Sequence, residues 1–144
     1  MAITKLQRPG SYSAPTGSSL ESKVAACVSE FMNAGTSLHK LHLKVTGMGS
    51  YSAHKALNDV YDAFPGHADS LAEGFQGAAE KLLEYQDVAP RVLSSVQEGL
   101  AYLRELKQMV EGLQAMMPYS EIVNDLDLVK SNINSAKYKL LFLK

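Results

Sequence analysis

Apolar residues recur along this chain at helical intervals, and no segment shows the strict alternation of a half-buried strand. From Ser18 or Ser19 onward, Leu20, Val24, Cys27, Val28, Phe31, Leu38, Leu41 and His42 fall mostly three, four or seven residues apart, which predicts a first helix over about 19–45. Ser18 or Ser19 serves as its N-cap, the former with Glu21 completing a capping box, and Gly47-Met48-Gly49-Ser50 closes it. Leu57, Val60, Phe64, Leu71 and Phe75 carry a second helical segment from about Ser52 to Tyr85, with Pro65-Gly66 in its middle. An interior proline removes one backbone hydrogen bond and clashes with the preceding turn, so a kink or break is expected near residue 64.

Asp87-Val88-Ala89-Pro90 marks the next boundary, and Pro90 is suited to a helix start. Val92, Leu93, Val96, Leu100, Leu103, Leu106, Val110 and Leu113 then predict a third helix over about 90–116. After the turn Met117-Pro118-Tyr119-Ser120, a fourth helix over about 121–143 is marked by Ile122, Leu126, Val129, Ile133, Ala136, Leu140 and Leu143. Four amphipathic helices joined by short links predict an all-α four-helix bundle over residues 19–144. Residues 1–18 hold two prolines and two glycines among serines and show no sustained period, which predicts a flexible N-terminal arm.

Composition narrows the function classes. At 144 residues the chain is one domain's worth, and its net charge of −1 gives no global pull toward nucleic acid or anionic lipid. A single cysteine, Cys27, excludes an intrachain disulfide framework and a cysteine-rich zinc site, and its apolar neighbours make it a small core residue. No stretch approaches the roughly 18 apolar residues that span a bilayer, so no membrane partner is expected. Gly47-Met48-Gly49 follows a helix and lacks the lysine of a phosphate loop.

The chemistry is concentrated in one window. All four histidines, His39, His42, His54 and His67, lie within it, and it ends with Asp69 and Glu73 four residues apart. Imidazole and carboxylate are the ligands shared by iron, zinc and manganese. Asp69 and Glu73 occupy one helix face and can both reach a cation about 2–2.2 Å from each oxygen. His54, Asn58, Asp62, Asp69 and Glu73 share that stripe if the second segment stays helical through Pro65. Taken singly, His39, His67, Asp59 and Asp62 read as ordinary solvated surface.

The ordered set resembles the Dps mini-ferritins, a branch of the ferritin-like four-helix bundles. His42-Leu43-Lys44-Val45-Thr46-Gly47 stands where that family has His-Trp-Asn-x-x-Gly. His54-Lys55-Ala56-Leu57-Asn58 stands for His-Glu-x-x-x-Asp, and Asp69-Ser70-Leu71-Ala72-Glu73 for Asp-x-x-x-Glu. The intervals from His42 through Glu73 need no gap, and the likeness covers about residues 20–73. The resemblance implies a ferritin-like fold and a ferroxidase that binds Fe(II), oxidises it with peroxide or oxygen and stores ferric mineral in a shell. It assigns His42, Asp69 and Glu73 to the tighter iron and His54, with Asn58, to a weaker second one. The histidines and the Asp-Glu pair would come from two subunits, so the smallest competent unit is a homodimer, within a shell of up to twelve subunits.

Departures from the family pattern set alternatives. Asn58 replaces a family aspartate, leaving either one or two irons per site. Leu43 replaces a tryptophan, Pro65-Gly66 interrupts the second helix, and only five to eight residues are expected between Glu84 and the third helix, where family members carry a small extra helix. DNA binding through the arm would rest on Lys5 and Arg8 alone. A competing reading is a non-catalytic structural or assembly protein on the same bundle, such as a bacteriophage could encode. The expected location is the cytoplasm, or the virion for a phage-encoded chain.

Overall fold

The computed structural model describes residues 19–144, so the expected arm with Lys5 and Arg8 lies outside the described residues. Four helices, α1 (Leu20–His42), α2 (Ser50–Ala79), α3 (Val96–Met116) and α4 (Ser120–Phe142), make an all-α four-helix bundle, with no strand among the described residues. Ser19 is the N-cap of α1, its hydroxyl accepting the Ser22 N–H at 3.1 Å. Ser95 caps α3 in the same way by accepting from Glu98 N–H. Ser120, read from the sequence as part of a turn, is instead the first helical residue of α4, and Tyr119 precedes it without a side-chain cap.

Packing contacts fix the topology. α1 and α2 are antiparallel, because Glu21 reaches Lys81 at one end and His42 meets His54 at the other. α2 and α4 are antiparallel through Gly74 against Ile122 and Asp59 paired with Lys139. α3 and α4 are antiparallel through Gln114 with Asp127 and Lys107 with Asn134. Leu41 near the end of α1 packs on Gly99 near the start of α3. The order is therefore up, down, down, up, with one long crossover joining the parallel helices α2 and α3. Val28, Phe31, Leu38, Leu57, Phe64, Leu103, Leu106, Leu126 and Ile133 fill the centre, and Phe31 and Phe64 meet edge to face at 5.4 Å.

Two expected boundaries are corrected. The second helix ends at Ala79 instead of Tyr85 and the third begins at Val96 instead of Pro90, so the crossover is a long extended segment and not a link of five to eight residues. The segment runs along α1 and gains its order from side chains. Gln76 accepts from Leu83 N–H at 2.9 Å, Ser29 donates to the Gln86 carbonyl, and Asn33 donates to the Val88 carbonyl at 2.7 Å. Arg91 lies 4.8 Å over the Tyr102 ring and pairs with Glu105, while Leu83 and Leu93 are buried. Tyr102, itself buried, donates to Glu30 of α1.

Pro65 does not break α2, which runs unbroken for 30 residues. The turn is accommodated by Gly35 of α1: a Cβ there would lie 3.5 Å from the proline Cδ and 3.6 Å from the Tyr61 carbonyl, the group proline leaves without its helical donor. The backbone of α1 approaches closely where α2 is irregular, and the helical phase from His54 to Glu73 is kept.

Candidate functional site

The turn between α1 and α2 builds the histidine pair. Gly47 and Gly49 adopt left-handed backbone, with φ of 90° and 80°, which reverses the chain between His42 and Ser50. The reversal lays the His54 ring on the His42 ring, with centroids 3.7 Å apart and planes 26° from parallel. His54 Nδ1 lies 3.1 Å from the His42 carbonyl oxygen. A carbonyl only accepts, so Nδ1 carries the proton and the Nε2 lone pair is left available, the tautomer that a metal-binding histidine takes when its other nitrogen is held by the backbone.

His42 is 6 % exposed, and neither of its ring nitrogens has a hydrogen-bond partner. A buried polar group in that state is costly unless something else satisfies it. Burial, followed by the neighbouring His54 and His39 rings, holds His42 below the ordinary histidine range, so its imidazole is neutral at pH 7 and able to act as a ligand.

Tyr61 completes the cluster, and sequence reasoning missed it. Its ring stacks on His39 at 4.0 Å with planes 8° apart and stands 5.0 Å from the His42 ring. Its hydroxyl donates to Asn58 Oδ1 at 3.0 Å, so the Asn58 oxygen is already occupied within the chain. The signal was available, since Tyr61 lies seven residues after His54 and three after Asn58 on the same stripe.

The carboxylates lie elsewhere in the same subunit. Asp69 and Glu73 are exposed on one face of α2, but fifteen residues of unbroken helix place Asp69 about 22 Å along the axis from His54. Among the described residues, no three His, Cys, Asp or Glu side chains of one chain gather closely enough to hold a metal ion. The remaining candidates serve the fold. Asp59 pairs with Lys139 of α4 at 3.0 Å, and His67 Nε2 bonds Asn132 Oδ1 of α4 at 2.5 Å. Cys27 is a core residue whose thiol is pushed up to about 12, chiefly by burial. No helix among the described residues is long and apolar enough to cross a membrane.

A sequence profile described as "Family of unknown function (DUF5856)" matches residues 42–140, a span that begins at His42 and takes in His54, Tyr61, Asp69 and Glu73. No curated protein and no solved structure matches the chain.

Proposed function

The chain belongs to the DUF5856 family, whose function is unknown, and we propose from the histidine pair that it binds and oxidises Fe(II) at sites completed between two subunits, as in the Dps mini-ferritins. The observation that carries this reading is the buried His42 ring, with both nitrogens unpartnered and stacked on a His54 whose Nδ1 is held by a backbone carbonyl. The single long crossover between parallel α2 and α3, the connectivity of ferritin-like bundles, also supports it.

A twofold mate brings the two half-sites together. When two α2 helices pair antiparallel about an axis between Tyr61 and Asp62, His54 of one chain stands level with Asp69 of the other. Such a dimer holds two equivalent sites, each with two imidazoles and two carboxylates. The carboxylates offset the charge of the ion and favour its ferric state, and the imidazoles bind without adding charge. Iron is the substrate here. Two ferrous ions each give one electron to hydrogen peroxide, which takes up two protons and leaves as two waters. This two-electron step needs both ferrous ions at one site; with the Asn58 oxygen engaged by Tyr61, the second iron rests on His54 and the shared Glu73 carboxylate.

The test is anaerobic Fe(II) titration of the purified protein, then peroxide, reading ferric-oxo absorbance together with native mass. The wild type is expected to bind about two irons per chain and to oxidise them well above the buffer rate. Asp69→Ala, at an exposed position, is expected to lose both while keeping its mass. Unchanged iron uptake in that variant sinks the site. A stable wild-type oligomer that oxidises nothing beyond buffer assigns the bundle to a structural role.

A further inference from the structure

Helix α4 carries, besides its buried apolar seam, an uncharged outer stripe that holds three large apolar side chains in the open. The inner seam, Ile122, Leu126, Val129, Ile133, Ala136 and Leu140, is buried against the other helices. On the outer face Asn124, Leu128, Ser131, Ser135, Tyr138 and Phe142 follow one another at steps of four, three, four, three and four, and all six are exposed. Leu128 is 61 %, Tyr138 55 % and Phe142 70 % exposed, and the last two rings already lean on each other at 5.8 Å. The outer face of a bundle helix is ordinarily charged, yet this stripe contains no charged residue over five turns. Alternating steps of three and four are the repeat by which one helix packs along another.

We propose that the outer face of α4 is a twofold interface with a second copy of this chain, the two helices antiparallel and crossing near residue 133. Two observations select a second copy as the partner. First, the step pattern reads the same in both directions, so the reversed helix offers the matching seam. Ser131 then faces the other chain's Ser135, Leu128 faces Tyr138, and the small serines allow close approach at the crossing. Second, the charge on α4 is divided along its length. Glu121, Asp125 and Asp127 precede Lys130, and Lys130, Lys137, Lys139 and Lys144 follow with no acid among them. An antiparallel copy lays each acidic half over a basic one, whereas a parallel copy sets like against like.

This face lies between α2 and α3, away from the α1–α2 rim that holds the histidine pair, and the inference does not depend on the iron reading. A chain with two different twofold interfaces assembles beyond a dimer.

The experiment mixes full-length Ser131→Cys chains with Ser135→Cys chains and oxidises them mildly. Cys27, buried in the core, leaves a clean background. The mixture is expected to give disulfide-linked dimer several-fold more efficiently than either variant alone. Leu128→Glu combined with Tyr138→Glu, both at exposed positions that leave the fold intact by circular dichroism, is expected to lower the native mass by a whole-number factor. Equal linking by each variant alone overturns the antiparallel register. Absence of linking, or an unchanged mass in the double variant, overturns the interface.

Discussion

At the scale of single residues, His42 combines burial with an unsatisfied imidazole, and that combination has a pH signature in the metal-free chain. Burial first, then His54 and His39, depresses its proton affinity in the folded state, and burial also lowers His67 against the opposing bond to Asn132. The unfolded chain therefore binds more protons than the folded one just below the ordinary histidine pKa of about 6.5. The neutral histidines contribute fully above that value, and their contribution is lost as pH falls through their depressed folded pKa. Glu21, lowered by its backbone hydrogen bond and then by Lys81, and Asp127, lowered by Gln114, act only in the lower carboxylate range. The thermal midpoint is expected to fall between pH 7 and pH 5, and His42→Phe, which keeps a buried ring without a titrating nitrogen, is expected to flatten that slope. An identical slope in the variant contradicts the assignment to His42. The histidine cluster could be read from the sequence because its members share one window. The bond from Tyr61 to Asn58 is an i, i+3 pair on one helix and was likewise legible, whereas the stacking of Tyr61 on His39 was not, since it depends on where α1 is placed.

At the scale of elements, the helices followed from periodicity, and the boundaries that failed share one physical cause. Val88, Val92 and Leu93 continue an apolar pattern before α3, and Pro90 is a good first-turn residue, so local preference alone extends that helix backward. The start was nevertheless set by a serine cap more than a turn later: Ser95 accepts from Glu98 N–H at 3.1 Å while the Glu98 carboxylate accepts from the N–H of Ser94, just before the cap, at 2.7 Å. The residues before it are held in extended form by Asn33, Ser29 and Arg91, contacts between positions distant in sequence that no window of local pattern contains. Likewise Pro65 looked like a break because its partner, Gly35, is thirty residues away on another helix. If this cap defines the start of α3, Ser95→Ala costs about 1 kcal/mol of stability in chemical denaturation, within the usual range for losing a serine cap. Loss of the cap should also speed amide exchange over residues 96–99 while leaving α4 protected. A change under a few tenths of a kcal/mol would mean that tertiary packing, and not the cap, sets this boundary.

At the scale of the whole molecule, the chain holds the histidine pair and the Asp69–Glu73 pair about 22 Å apart along one unbroken helix, so no motion within the bundle can bring them together. Chemistry that uses both must come from assembly, and that separates it from a site folded within one subunit. Gly66 offers the test. It lies on the exposed face of α2 between Asp62 and Asp69, and a Cβ built there meets nothing within 4 Å. Gly66→Arg therefore fits the isolated chain, and replacing an interior helical glycine should raise its stability by up to about 1 kcal/mol. A long charged side chain at that position stands in the path of an antiparallel α2 mate, close to where the proposed axis passes. The variant is expected to keep its helical content, to lose the α2-mediated dimer in native mass, and to lose Fe(II) binding although His42, His54, Asp69 and Glu73 are all intact. Retained iron binding alongside lost pairing would place the whole site within one subunit. If both persist, the mate docks on a face other than α2, and the carboxylates that complete the histidine pair must be sought there.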